Sequence, residues 1–280
     1  MTKLHKVLLT GATGFIGRAL AVKLQQSGYE VRPLARSLGN DFNRMLSPED
    51  WGPHLQGIDA VINTVGIISE SPRQRFETLH HLAPAALFSA SARAGVRRVV
   101  QISALGSDEH AFTAYQLSKR AADDHLRSLP LEWFVLRPSL VAGEESRSLK
   151  FFRRLARLPL LPLPDGGIQS VQPVHLDDLT DCVLHCLTSK RTKLTLDVVG
   201  PRPIRFGDWL TLLRRQQGRR GACILDIPSP IFLRAANLAH HVLPLAHPDN
   251  LRMLQQGNVA DPEPLARFLG RSLREIEDLA

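Results

Sequence analysis

Glycines 11, 14 and 17 fall in the run Thr10-Gly11-Ala12-Thr13-Gly14-Phe15-Ile16-Gly17. A dinucleotide pyrophosphate needs backbone N–H groups at a helix N-terminus and nothing bulky in front of them. Gly11 permits the tight turn, Gly14 lets the backbone approach phosphate, and Gly17 lets the helix pack on its strand. Thr10, Thr13, Phe15 and Ile16 complete the expected cofactor contacts of this turn. The glycine spacing alone also fits an ordinary strand–helix turn, but here an apolar strand precedes it and a helical pattern follows. Nineteen residues on (36 − 17 = 19), where an acid would grip a ribose 2′-hydroxyl, stands Arg36. A guanidinium cannot accept from a hydroxyl but suits a 2′-phosphate, so NADP is expected over NAD. The competing reading of Arg36 is a solvated surface side chain.

A second group follows. Ser103 ends an apolar run, and Tyr115-Gln116-Leu117-Ser118-Lys119 lies on a helical pattern. Tyr115 and Lys119 are four apart and project from one helix face. A phenol of ordinary pKa is a poor proton donor or acceptor at neutral pH. A nearby ammonium and the cationic nicotinamide ring would lower that pKa toward the working range, while Ser103 orients a carbonyl or alcohol oxygen and Lys119 holds ribose hydroxyls. Ser103, Tyr115 and Lys119 are therefore the candidate catalytic residues. A Tyr-x-x-x-Lys pair alone also describes an exposed tyrosine beside a surface lysine.

These residues require strands whose carboxyl ends share one rim. Buried apolar runs at 6–10, 30–35, 59–65, 98–103 and 131–136 alternate with helical patterns at 18–27, 73–94 and 113–127 and a helix start at Ser47-Pro48. That alternation predicts an α/β fold, a doubly wound parallel Rossmann sheet. Thr64, Val65 and Gly66 at one strand end, with Pro138 and Ser139 past another, are expected to line the cofactor. Arg137 and Val141 are expected near the substrate floor. After Gly143 the rhythm changes: 160–167 reads as a Pro/Gly loop, 177–187 and 206–217 as helices, and 195–199 as a strand. The expected organisation is a core over 1–143 and a smaller C-terminal cap over 144–280, part of which returns to the main sheet.

The 280 residues suit one large domain, and 44% apolar with 22% charged side chains excludes a disordered or fibrous chain. Net charge is +8, spread as +4 over 1–143 and +4 over 144–280, with no basic tail. Nucleic-acid binding is not expected. Three cysteines, no secretory leader pattern and no charge-free apolar stretch of ~18 residues point to the cytoplasm.

Together these residues resemble the short-chain dehydrogenase/reductase superfamily, in its extended or atypical branch. Asp59-Ala60-Val61-Ile62-Asn63, Ala94-Gly95-Val96-Arg97-Arg98-Val99-Val100-Gln101-Ile102-Ser103, Arg137-Pro138-Ser139 and Gln172-Pro173-Val174-His175-Leu176-Asp177-Asp178 look like its landmarks. Within it the chain most resembles the nucleotide-binding accessory subunit of respiratory complex I and its bacterial relatives. The resemblance implies NAD(P) binding and a pocket shaped by the C-terminal segment for a small-molecule carbonyl or alcohol. It also implies an alternative, a non-catalytic NADPH-binding sensor or assembly factor at a membrane respiratory complex. In two places the chain departs from that family. Its usual Asn before the Ser strand is replaced by His80 or His81, and 37–58 offers only Asp41-Phe42 for an adenine contact.

Other features have milder readings. Cys182, His185 and Cys186 share one helix and read as core packing rather than a metal site; no metal is expected. His80-His81 and His240-His241 are adjacent pairs that point to different helix faces. Residues 150–157 form a basic amphipathic stretch, either a cap helix or a rest on an anionic membrane. Residues 230–245 read as an apolar core helix, with a dimer or membrane contact as the alternative.

Overall fold

The computed structural model describes residues 4–239 and 248–276. Along the chain, β1 (Lys6–Thr10), α1 (Phe15–Gln26), β2 (Glu30–Leu34), α2 (Pro48–Leu55), β3 (Ala60–Asn63), α3 (Ala83–Arg93), β4 (Arg98–Ile102), α4 (Ala114–Ser128) and β5 (Glu132–Pro138) alternate. There follow β6 (Val141–Ala142), α5 (Arg147–Leu155), β7 (Leu160–Pro164), β8 (Ser170–Val171), β9 (Val174–His175), α6 (Leu176–Thr188) and β10 (Leu194–Val198). Then come β11 (Ile204–Arg205), α7 (Phe206–Gln216), β12 (Cys223–Ile227), α8 (Ser229–Ala239), α9 (Pro248–Gln256) and α10 (Glu263–Leu269).

Six strands form one parallel sheet in the order β10-β5-β4-β3-β1-β2. The strand alternation of β1 sorts its side chains between two cores. Val7 and Leu9 join Leu20 and Leu24 of α1, Leu179 and Cys182 of α6, and Leu265 of α10. Leu8 joins Trp51 of α2, Leu87 and Phe88 of α3, and Leu126 of α4 on the opposite face. The apolar runs are unalternated because both faces of the sheet are covered. Local caps start the helices where the sequence asks. Ser47 and Asp50 form a capping box on α2, and Thr113 and Gln116 form one on α4. Strand order reverses direction at β1, so a crevice opens beyond the carboxyl ends of β1 and β3.

Three sequence expectations change. The run 160–167 is not all loop: β7 pairs in parallel with β12, burying Leu161 and Leu163 inward. A two-stranded ribbon leaves one edge of β7 unpaired, where Pro162 and Pro164 cost no ladder bond. The helix expected over 73–94 begins later, after a bridge between Ser71 and Gln74, and its first turn, Glu77–Leu82, is π-helical. Phe42, the offered adenine contact, is buried and stacked on Trp51 with ring centroids 5.7 Å apart. The expected helix over 230–245 is described to Ala239, and His240-His241 lies outside the described residues.

The C-terminal segment is clamped to α6 by charge. Asp178, fully buried, accepts from Arg271 Nη2 at 2.7 Å and Arg274 Nη1 at 2.8 Å. Asp181 accepts from the same two arginines and from Lys23 of α1. Burial would raise the Asp181 carboxyl, but hydrogen bonds from Lys23, Arg271 and Arg274 bring it down to about 2. A depressed carboxylate stabilises the fold fully above its unfolded pKa and loses that effect as pH falls through the folded value. This contribution is thus present above pH ~4 and lost toward pH 2. Asp178→Ala is expected to cost about 1–3 kcal/mol in urea unfolding, because it removes a buried acceptor from Arg271, Arg274 and the Arg274 N–H, while Asp181 still holds both guanidinium groups. An unchanged urea midpoint would show that the clamp holds nothing.

Candidate functional site

The glycine turn caps α1 without help from a side chain. Gly14 occupies the N-cap with no side-chain hydrogen bond, and no acid lies in the first turn. The first N–H groups of α1 and the positive end of its dipole are therefore open to an anion. The glycines are sterically required. A Cβ on Gly17 would lie 2.1 Å from Gly11 O, and one on Gly11, at φ +72°, would lie 2.6 Å from Thr64 Oγ1. A Cβ on Gly14 would meet only Gly11 O, at 3.1 Å, so its open side faces the crevice. Such a cradle, which a side chain would fill, fits a pyrophosphate.

Neighbouring strands fasten the turn through a buried polar ladder. Thr10 Oγ1 donates to Asn63 Oδ1 at 2.5 Å, and Asn63 Nδ2 donates to Gln101 Oε1 at 2.7 Å, across β1, β3 and β4. Thr64 Oγ1 donates to Thr10 O at 2.7 Å. The end of β2 folds back on the turn, where Ser37 Oγ donates to Thr13 Oγ1 at 2.9 Å. Next to it Arg36 is exposed and, among the described residues, pairs with no acid. Phe15 packs against Gly143, and Ile16 is half-buried against the α1 core. A concavity of about 560 Å³ runs along the outside of α1 beside Glu145 and Leu176 and meets the turn only at Phe15.

At the rim of β3 and β4 a second cluster forms. Lys119 is 3% exposed, and its ammonium donates to Val65 O and Ile102 O, each at 3.1 Å. An ammonium has three donors, so one remains. Gly66 leaves room for it: a Cβ there would sit 3.3 Å from Lys119 Nζ. Ser103 Oγ donates to Asp123, one turn beyond Lys119 on α4. Asp123 is fully buried, and its second oxygen, Oδ1, has no hydrogen-bond partner. Burial pushes Lys119 down and Asp123 up, while each charge draws the other back toward ionisation.

Tyr115 stands one turn before Lys119. Its ring meets Phe76 and His80 edge-on, with centroids 5.6 and 5.3 Å away. Among the described residues its hydroxyl takes no hydrogen bond from Ser103 or Lys119. Burial pushes the phenol up to about 12. In this arrangement the Lys119 ammonium turns toward two carbonyls and burial dominates, so any lowering of the phenol falls to the cationic nicotinamide ring of a bound cofactor.

His80, rather than His81, takes the place of the missing Asn. The π-helical turn rotates it inward, fully buried, while His81 pairs with Glu77 at 2.8 Å. The Ile67 N–H donates to His80 Nε2 at 3.0 Å, so the proton sits on Nδ1 and faces Ser118 Oγ at 3.1 Å. Burial first and the Lys119 charge second hold this imidazole well below its usual pKa, hence neutral.

Past β5, Ser139 Oγ donates to Gln172 O at 2.5 Å, and Pro138 O accepts from Leu105 N at 2.9 Å. Arg137 is held by Asp197 at 2.7 Å and Asp108 at 3.5 Å, so its charge is already answered. Sequence reasoning missed Asp123 and the Asn63–Gln101 ladder. The signal for Asp123 was present: its spacing from Lys119 repeats that of Tyr115. Among the described residues no cluster of three or more His, Cys, Asp or Glu could hold a metal, and no helix is long and apolar enough to cross a membrane.

A family profile described as NAD(P)H-binding matches residues 11–158. The chain belongs to that family. This NAD(P)H-binding protein has the fold of the short-chain dehydrogenase/reductase superfamily, an oxidoreductase- or epimerase-like fold. It is 30% identical over 249 residues to a ceramide reductase of Caulobacter vibrioides, spanning 83% of this chain and 76% of that one. It is 26% identical over 212 residues to the mitochondrial NADH dehydrogenase [ubiquinone] 1 alpha subcomplex subunit 9 of Arabidopsis thaliana, spanning 68% of this chain but 52% of that protein. The structure of a Bacillus cereus UDP-glucuronic acid 4-epimerase superposes with a TM-score of 0.75 at 18% identity, covering 98% and 96% of the two chains.

Proposed function

We propose that the protein is an NADP-dependent reductase that transfers hydride to a carbonyl compound, with Ser103, Tyr115 and Lys119 as its catalytic residues. The observation that supports this reading is the rim of β3 and β4, where buried Lys119 donates to Ile102 O beside Ser103 and Tyr115 stands one turn before Lys119 on α4. NADP, when bound, supplies or takes the hydride. A phenol held protonated by burial donates to the oxygen of a carbonyl, which favours reduction. The Lys119 ammonium, one turn away, would stabilise the phenolate left behind, and its third N–H would be free to hold a ribose hydroxyl of the cofactor. Ser103 has its proton committed to Asp123, so it can hold a carbonyl oxygen only once that bond is exchanged. Residues 1–143 supply the nucleotide side, with Thr10, Gly11, Thr13, Gly14, Phe15, Ile16, Gly17, Thr64, Val65, Gly66, Pro138 and Ser139 along the cofactor. Segments after 143 shape the substrate side. The ceramide reductase relative makes long-chain carbonyl compounds the first to try.

Arg36 is the proposed 2′-phosphate ligand. Arg36→Ala is expected to weaken NADPH binding about tenfold or more and leave NADH unchanged, by fluorescence titration. Equal wild-type affinity for the two nucleotides would sink the NADP preference.

A second reading, an NADPH-binding accessory factor without turnover, rests on a separate observation. Both ring nitrogens of His80 are taken and the Tyr115 hydroxyl is tied to neither partner, so no proton relay is assembled. The relative in a respiratory complex gives that reading its partner class. Tight NADPH binding with no turnover over a broad carbonyl panel would select it.

A further inference from the structure

The two halves of the chain carry equal net charge, yet the basic residues of the second half are not evenly placed. Residues 146–160 hold five basic side chains and no acid, and residues 209–225 hold four and none. Together they supply more positive charge than the whole chain's net +8. The two segments pack as one unit. Buried Arg214 donates to Ala156 O and Leu158 O at 2.8 Å each, and also to Arg220 O. Gln217 accepts from Arg157 at 2.8 Å and donates to Arg153 O at 3.1 Å. Arg147, Lys150, Arg154, Arg157, Arg215, Arg219 and Arg220 are left exposed around this joint.

The β7–β12 ribbon grows from the same joint, since Cys223 N donates to Pro159 O at 3.0 Å. Its register sets Leu160 beside Cys223 and Pro162 beside Leu225. Side chains alternate along each strand, so the face opposite buried Leu161 and Leu163 carries Leu160 and Leu225. These are 47% and 45% exposed, and Leu158, just before the ribbon, is 45% exposed. Glu144 lies along the α1 concavity rather than in the joint. Glu145 pairs with Arg18 and Lys150, Asp226 lies against Gly166, and Asp208 sits at the far end of α7.

We propose that this leucine face and the arginines beside it form a docking surface for an anionic lipid bilayer. Aliphatic side chains enter the boundary between headgroups and acyl chains, while guanidinium groups stay at the phosphates. Leucine on a ribbon face cannot stack on nucleobases, which argues against nucleic acid as the occupant. The surface is independent of the catalytic reading, because none of its residues touches the glycine turn or the Ser103 rim.

The test is co-sedimentation of the full chain with vesicles of phosphatidylcholine alone and of phosphatidylcholine containing one third phosphatidylglycerol, at physiological salt. The expected result is pelleting with the anionic vesicles only. Leu160→Ser with Leu225→Ser, and separately Arg219→Ala with Arg220→Ala, should each lower the vesicle affinity about tenfold. Both pairs point outward, and retained NADPH binding checks that they fold. Three outcomes would overturn the proposal: no pelleting with anionic vesicles, pelleting unchanged by the leucine pair, or tighter binding to duplex DNA or an acidic polypeptide than to the vesicles.

Discussion

Gly17→Ala is expected to abolish nucleotide binding and to destabilise the fold. The added Cβ would meet Gly11 O at 2.1 Å, Gly11 C at 2.8 Å and Ala12 Cα at 2.9 Å. These are backbone atoms at the heart of the turn, so no flexible side chain can swing aside. Alanine's better helix propensity, worth about 1 kcal/mol, is outweighed by overpacking that displaces main chain. The turn must open, and with it goes the cradle that presents the first N–H groups of α1. NADPH affinity by calorimetry should fall at least about a hundredfold, with a lower melting temperature. Gly14→Ala is the informative companion. Its Cβ meets only Gly11 O at 3.1 Å and otherwise points into the crevice. The fold should survive while phosphate approach is blocked. If Gly17→Ala binds NADPH as wild type does, the turn is not the phosphate site.

Tyr115→Phe is expected to lower turnover by about 10²–10⁴ while leaving NADPH affinity and melting temperature unchanged. The hydroxyl takes no hydrogen bond among the described residues, and the ring's contacts with Phe76 and His80 are kept by phenylalanine. The loss is therefore chemical rather than structural. With the phenol pushed up to about 12 it stays protonated through neutral pH. A donor stays competent below its pKa, so the phenol keeps its proton through neutral pH, and the first loss of rate as pH rises should come from the Lys119 ammonium, which burial pushes down to about 8. Equal rates for wild type and Tyr115→Phe would remove Tyr115 from the chemistry.

The sheet was legible because buried parallel strands read as unalternated apolar runs, as Val7, Leu8 and Leu9 do between two helical layers. The glycine turn was legible because its constraint is local: three missing side chains within seven positions. Features that depend on partners far along the chain were not. Leu160 to Pro164 looks like loop until Cys223 to Ile227 arrives beside it. Asp123 looks like one of several helix acids until Ser103 is found donating to it. The Tyr115–Lys119 spacing gave a shared face but not the aim of the ammonium. That is fixed by Val65 O and Ile102 O at the ends of two other strands. The histidine at position 80 was visible as a departure, but its inward turn depends on a π-helical insertion that carries no residue signature.

Hydride transfer is proposed between a cofactor held at the glycine cradle and a carbonyl compound placed by Ser103, Tyr115 and Lys119. The direct measurement is incubation of the protein with NADPH deuterated at the reactive nicotinamide carbon and a panel of long-chain and short-chain carbonyl compounds, read by mass spectrometry. Deuterium carried into an alcohol product by wild type, and not by Tyr115→Phe, is the predicted result. A protein that binds NADPH tightly yet leaves every product unlabelled would contradict the claim and make the site a nucleotide holder.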